Sequence, residues 1–107
     1  MNSFEKRQEG FEKKFALDEE HKFKAFARRN KLLGLWVAEK LGITGDAASA
    51  YAKEVVTADF EQPGDDDVLQ KVMRDLTAKG VALTEQQVRA QMDMLLADAV
   101  AQVKAGT

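Results

Sequence analysis

The 107-residue sequence contains no cysteine, one histidine and one proline. Without cysteine, the chain has no disulfide framework, no thiol nucleophile and no thiolate ligand for zinc or an iron–sulfur cluster. The single histidine, His21, excludes any site that needs two imidazoles. No run of 18 apolar residues occurs, so we expect no transmembrane helix and no direct insertion into a membrane. The first residues match neither a secretory signal nor a transit peptide, and a cytoplasmic protein is therefore expected.

The groups needed for catalysis are also scarce. No glycine-rich phosphate-binding loop is present, and only His21 could act as an imidazole base for a hydroxyl nucleophile. The acidic run 65–67 is typical of a helix N-terminus. It does not start an EF-hand, because the sixth and twelfth positions would be Gln70 and Leu76. We therefore predict that the protein is not an enzyme and holds neither a metal nor a cofactor.

The formal net charge of −2 conceals an uneven distribution along the chain. Residues 1–31 carry nine basic and six acidic side chains, a balance of +3. Residues 32–107 carry the other seven basic and twelve acidic side chains, a balance of −5. Such asymmetry indicates one end that interacts with a partner. Nucleic acid is not expected as that partner, and Trp36 and Tyr51 are predicted to be core aromatics rather than platforms for bases.

Helical periodicity recurs four times after residue 17, and no alternating strand pattern occurs. The predicted helices run from Asp18 to Leu41, from about Asp46 to Glu61, from the acidic run 65–67 to Lys79, and onward from the N-cap Thr84. Glycines at 42 and 80 are typical of helix C-termini, and Gln87 completes a capping box with Thr84. Short connectors make successive helices antiparallel neighbours. The predicted fold class is therefore all-α, with a four-helix bundle over residues 18–107.

Each predicted helix has an apolar face for the bundle core. On the first helix this face consists of Phe23, Phe26, Asn30, Leu33, Val37 and Leu41. On the second it consists of Ala48, Tyr51, Ala52, Val55, Val56 and Phe60. Leu32, Leu35 and Trp36 lie outside the first stripe, so either several neighbours cover that helix or it presents an apolar patch to a partner. We favour the first alternative.

Residues 1–17 are predicted to form a separate N-terminal unit. On a helix, Phe4, Phe11 and Phe15 lie within roughly 40° of one another. Gly10 costs such a helix about 1 kcal/mol relative to alanine, and an isolated helix of this length is marginal in water. We expect a segment that is disordered or frayed when free and becomes an amphipathic helix in a partner's groove. Packing of the three phenylalanines back onto the bundle is an alternative, and a membrane-surface helix is a weaker one.

A second candidate for binding lies on the first predicted helix. Arg28, Arg29 and Lys31 could contact phosphate or an acidic partner. The favoured alternative is a solvated face that forms salt bridges with acids such as Asp18 or Glu39.

The chain resembles the zeta inhibitor subunit of alpha-proteobacterial F-type ATP synthases. The residues that carry the resemblance are Phe4, Arg7, 11–16 (Phe-Glu-Lys-Lys-Phe-Ala), Asp18, Phe23-Lys24 and the run 27–36 (Ala-Arg-Arg-Asn-Lys-Leu-Leu-Gly-Leu-Trp). It continues through 51–56 and the helix from Val88 to Val103, and so covers almost the whole chain.

This resemblance implies a small regulatory protein that binds the catalytic head of the synthase and blocks ATP hydrolysis. The N-terminal segment would enter a catalytic interface between the alpha and beta subunits, near the gamma stalk. The free protein would be a monomer, held at the cytoplasmic face of the inner membrane only through the synthase. Carried over to this sequence, the inhibitory residues are Phe4, Glu5, Lys6, Arg7, Glu9, Phe11, Glu12, Lys13, Lys14 and Phe15. Leu17 replaces a histidine of the family pattern, which removes one pH-sensitive contact.

Two other classes of function stay open. One is a nucleotide- or phosphate-responsive helical domain that binds nucleotide weakly through Arg28, Arg29 and Lys31. The other is a generic helical adaptor with an unrelated partner.

Overall fold

The computed structural model describes residues 17–61 and 64–106, which fold into four α-helices. We number them α1 (Glu19–Leu41), α2 (Gly45–Glu61), α3 (Asp65–Ala78) and α4 (Glu85–Lys104). No strand occurs within the two described ranges. The all-α fold and the four-helix count are thus confirmed. The predicted division of the chain near residue 17 stays a prediction, because residues 1–16 lie outside the described part.

The helix ends confirm the local sequence signals. After α1, Gly42 has φ 77° and the N–H of Ile43 donates to the carbonyl of Ala38 over 2.9 Å. After α3, the N–H of Val81 donates to the carbonyl of Leu76 over 3.0 Å. Both are Schellman motifs. A glycine in the left-handed conformation, Gly42 or Gly80, turns the chain so that the following N–H groups donate to the last helical carbonyls.

The capping box at the start of α4 is present as predicted. The N–H of Gln87 donates to the hydroxyl of Thr84 over 3.1 Å, and the N–H of Thr84 donates to Oε1 of Gln87 over 2.9 Å. Each side chain satisfies a backbone donor that the helix itself leaves unpaired.

Helix α1 is the central element and packs against each of the other three helices. The main core combines residues of all four helices, namely Leu33, Val37, Ala38, Tyr51, Val55, Val68, Leu69, Val72, Leu76, Val88, Met92 and Leu95. A smaller cluster of Ala25, Phe26 and Val100 lies where α1 begins and α4 ends. Leu32 and Trp36 pack against the main core, so several neighbours cover α1 there, whereas Leu35 is exposed.

The prediction that Phe23 and Phe60 belong to the core is wrong. Phe23 is 61% exposed and Phe60 is 70% exposed. Both lie at one end of the antiparallel α1–α2 pair, where neither α3 nor α4 covers them. Their rings contact each other edge to face, with centroids 6.3 Å apart. Each ring therefore shields the other in place of a core contact.

The interior at this end of the bundle contains polar groups instead. Lys22, Arg29, Asn30 and Asp59 are all buried.

None of the four described helices is long and apolar enough to span a membrane.

Candidate functional site

The ten candidate inhibitory residues between Phe4 and Phe15 lie outside the described part of the chain. The structure does describe the point where that segment joins the bundle. Leu17 packs against the small cluster of Ala25, Phe26 and Val100. The chain therefore enters the bundle at a fixed apolar contact, at the end of α1 that carries the exposed phenylalanine pair.

Asp18 separates this entry point from α1. Its Oδ1 accepts a hydrogen bond from the backbone N–H of His21 over 2.8 Å and lies 2.7 Å from Nδ1 of the same residue. The backbone hydrogen bond, followed by the side-chain hydrogen bond to His21, lowers the pKa of Asp18. With φ −72° and ψ 172°, the backbone of Asp18 is extended, so Asp18 is the N-cap and α1 begins at Glu19.

The predicted basic cluster is divided between the interior and the surface. The guanidinium of Arg29 is buried, 2.8 Å from Oδ1 of Asp65 and 5.3 Å from the ring centre of Phe26. Arg28 and Lys31 point the other way. Nη1 of Arg28 donates to Oε1 of Gln102 over 3.0 Å, and Lys31 is exposed.

Arg28 and Lys31 line an open groove that runs along α1 between α2 and the end of α4. Its other two cations are Lys24 on α1 and Lys53 on α2. Apolar contacts come from Phe23, Ala27, Leu35, Ala52 and Val56, and none of its described lining residues is acidic. We call this surface, defined by these nine residues and by His21 at its end, the basic groove.

Two of the four cations of the basic groove were not identified as candidates from sequence. Lys24 could have been, since Lys24, Arg28 and Lys31 follow the i, i+4, i+7 spacing of one helical stripe. Lys53 could not, because only the packing of α2 against α1 brings it there. Lys24 also forms an ion pair with Glu20, its Nζ lying 3.3 Å from the carboxylate.

The acidic run at the start of α3 forms ion pairs with arginines of two other helices. Asp65 pairs with Arg29, and Asp66 accepts a hydrogen bond from Nη2 of Arg89 over 2.6 Å. Across the described residues, no three His, Asp or Glu side chains gather as a metal site would require. The run occupies the first turn of α3, as the helix N-terminus interpretation predicts, but α3 begins after Gly64 without a side-chain cap hydrogen bond.

The described residues form a small helical bundle with a charged surface groove, an architecture that does not define a function by itself. A family model described as ATPase inhibitor subunit zeta matches residues 1–102. The chain belongs to this family of ATPase inhibitor subunits. The resemblance inferred from sequence is thereby confirmed, and the family supports a non-catalytic, inhibitory role toward ATP synthase.

One solved structure extends the comparison. A protein described as "Solution NMR structure of the protein" is 55% identical to this chain and superposes with a TM-score of 0.69. The similarity covers 79% of this chain and 96% of that chain. The curated proteins compared with the chain contain no match.

Proposed function

We propose that this protein blocks ATP hydrolysis by inserting residues 1–17, as an amphipathic helix, at an alpha/beta catalytic interface of the F-type ATP synthase. The observation that carries the proposal is the family match, which begins at residue 1 and so includes the whole segment. The extended Asp18 supports it further, because a break before α1 lets the segment move without unfolding the bundle.

Within the segment, the three phenylalanines are the anchors. Phe4, Phe11 and Phe15 share one helical face, and buried aromatic side chains provide most of the affinity in many interfaces. The four cations Lys6, Arg7, Lys13 and Lys14 meet acidic groups at the rim, where charge speeds and orients association more than it strengthens binding. Glu5, Glu9 and Glu12 line another side of the helix and complete the contact set. The inserted helix holds one conformation of the rotating catalytic site and stops turnover.

The proposal is tested by deleting residues 1–17 and measuring ATP hydrolysis by the purified catalytic head. The full chain inhibits hydrolysis, whereas the truncated chain retains its helical circular dichroism and loses inhibition. Phe11→Ala weakens inhibition because it removes an anchor. The matched control is Phe60→Ala, which removes an exposed phenylalanine of the bundle and leaves inhibition intact. Full inhibition by the truncated chain would refute the insertion mechanism.

Partner subunits are identified by cross-linking. Because the chain contains no cysteine, a Lys6→Cys variant carries a photoreactive group at one known position. Cross-links to alpha, beta or gamma agree with insertion beside the central stalk. Cross-links only to other subunits, or to none, contradict it and favour a generic adaptor.

The basic groove favours a second candidate function, which is binding of nucleotide phosphates. Its four cations could receive a polyphosphate, although Arg29, the third residue of the predicted cluster, is buried beside Asp65. An NMR titration with ADP and ATP tests this. Shifts at Lys24, Arg28, Lys31 and Lys53 support binding, and no shift at these four residues rejects it.

A further inference from the structure

We propose that the basic groove is the resting place of the chain's own N-terminal segment, with residues 1–16 folded back as a helix antiparallel to α1. The docking itself does not depend on the inhibitory role. Its consequence does rest on the proposed function, because the docked segment would bury the same phenylalanines that the synthase receives.

The charges of the basic groove define what can occupy it. Three of its cations, Lys24, Arg28 and Lys31, lie within about 60° on one side of α1, because they are spaced four and three residues apart. Lys53 adds a fourth from α2, and no described lining residue offsets them. The apolar contacts beside this stripe include Phe23 and Val56. A fitting occupant is a helix with an apolar stripe flanked on one side by acids.

Residues 1–16 have this pattern when drawn as a helix. Phe4, Phe11 and Phe15 share one face, and the three glutamates Glu5, Glu9 and Glu12 lie within about 60° of one another on one flank of it. Arg7 and Lys14 lie on the other flank, and Lys6 and Lys13 lie on the face opposite the phenylalanines. Docking the apolar face can therefore direct the acids toward the cations of the groove and the bases away from them.

The spacing of the two charged stripes matches in the antiparallel direction. In an antiparallel pair of helices of equal rise, facing residues have a constant sum of residue numbers. Glu12 with Lys24 and Glu5 with Lys31 share the same sum, and Glu9 with Arg28 differs from it by one residue. All three acids thus face all three cations to within about 1.5 Å along the axis.

The length of residues 1–16 and their connection to α1 also match the basic groove. Sixteen residues make a helix of about 24 Å, and the α1 part of the groove, from His21 to Leu35, spans about 21 Å. The segment reaches the groove at its His21 end, because Leu17 is held there on the small apolar cluster. Leu17 and the extended Asp18 leave a two-residue connection, which lies within the range found in helical hairpins.

The contacts of the groove cations set the strength of docking. Lys24 already pairs with Glu20 over 3.3 Å, and Arg28 donates to Gln102 over 3.0 Å. Exposed ion pairs such as the first contribute little on their own. The new ion pairs with the segment would also be exposed, and they compete with these existing contacts. Docking is therefore weak and reversible, so the segment can leave the groove to bind the synthase.

The experiment uses the full chain, labelled with ¹⁵N, with a spin label at Gln8→Cys beside the apolar stripe. In the docked state the label broadens the amide signals of residues 24–31 and of Lys53. Broadening confined to residues near position 8 in sequence would overturn the proposal. A second sample mixes spin-labelled ¹⁴N chain with unlabelled ¹⁵N chain. Broadening of the groove in that mixture would identify a second copy as the occupant and overturn it too.

Reversing the charges of the segment or of the groove tests whether the ion pairs between them cause the broadening. E5K/E9K/E12K changes only the segment, so the bundle stays folded while the broadening of the groove is lost. The reversal K24E/R28E/K31E has the same effect from the other side, and combining both sets restores the broadening. Groove broadening that persists in E5K/E9K/E12K, or that the combined variant does not restore, contradicts the proposal. No synthase is present, so this result is independent of the truncation assay.

Discussion

Asn30 on α1 donates a hydrogen bond from Nδ2 to Oδ2 of Asp59 on α2, over 2.6 Å inside the bundle. The other carboxylate oxygen of Asp59 accepts the N–H of Gly64 over 3.3 Å, and Nε of Arg29 donates to Oδ1 of Asn30 over 2.8 Å. We call Arg29, Asn30, Asp59, Gly64 and Asp65 the Asn30 network. It joins α1 to the end of α2 and the start of α3, at the end of the bundle where Leu17 packs.

Asn30→Ala should lower the free energy of unfolding by about 2–3 kcal/mol, because it removes a buried partner from both Asp59 and Arg29. Urea unfolding followed by circular dichroism measures the loss. The matched control is Asp98→Asn, an exposed polar substitution on α4, for which a change within about 0.5 kcal/mol is expected. A loss for Asn30→Ala no larger than that of the control would show that the Asn30 network adds little stability.

Arg29→Ala and Lys31→Ala should differ sharply in stability although both remove a base from the same predicted cluster. Arg29 is 1% exposed and bound to Asp65, so its loss should cost about 2–4 kcal/mol through the broken pair and the lost packing. Lys31 is exposed, and its loss should change stability by less than about 0.5 kcal/mol. Thermal unfolding of both variants decides the point. Equal melting temperatures would contradict the division of the cluster between interior and surface.

Comparison of sequence and structure shows where local patterns suffice. The capping box at Thr84 and the glycine at 42 depend on residues at most five apart, so the sequence was enough to predict them. Periodicity placed Asn30 on the buried face but could not identify Asp59 as its partner, because that contact depends on how α1 packs against α2. The same reason explains the wrong prediction for Phe23 and Phe60.

The residues of the candidate site also differ in how far the sequence predicts them. The stripe of Lys24, Arg28 and Lys31 is visible in the sequence, whereas Lys53 joins it only through tertiary packing. The candidate inhibitory residues between Phe4 and Phe15 were inferred from the resemblance to the family. Their amphipathic pattern alone is compatible with several partners.

Gly34→Ala should destabilise the bundle even though alanine is the better helix former. A Cβ at residue 34 would lie 2.5 Å from Cα of Ala52 and 3.1 Å from its Cβ, so α1 and α2 would have to separate. We expect a loss of about 1–3 kcal/mol, which outweighs the gain of about 1 kcal/mol in helix propensity. Chemical unfolding measures it, with Ser49→Ala on the exposed face of α2 as a control for alanine substitution.

Adding Ala52→Gly to Gly34→Ala provides a sharper comparison. It removes the side-chain contact but not the shorter contact with the backbone Cα of residue 52. The double variant should therefore remain less stable than Ala52→Gly alone. If instead Gly34→Ala proved stabilising, the close crossing of α1 and α2 at this point would be wrong.

The phenol of Tyr51 donates a hydrogen bond to Oδ2 of Asp75 over 2.7 Å, and it is the only tyrosine in the chain. Burial, and then the hydrogen bond and negative charge of Asp75, raise the pKa of Tyr51 well above its ordinary value of 10.0. Below about pH 10 both the folded and the unfolded chain keep the proton, so the stabilisation is complete. Above that pH only the unfolded chain ionises, and the stabilisation falls as the pH rises further.

Ultraviolet titration of the native protein should therefore show no tyrosinate until the helices unfold, whereas the chain in guanidinium should ionise near pH 10. Asp75→Asn removes the charge while burial remains, so ionisation should move to lower pH but stay above that of the unfolded chain. Tyr51→Phe should cost about 1–2 kcal/mol near neutral pH through the lost hydrogen bond. That cost should shrink as the pH rises above about 10. Tyrosinate that forms near pH 10 in the folded chain would contradict the partly buried hydrogen bond between Tyr51 on α2 and Asp75 on α3.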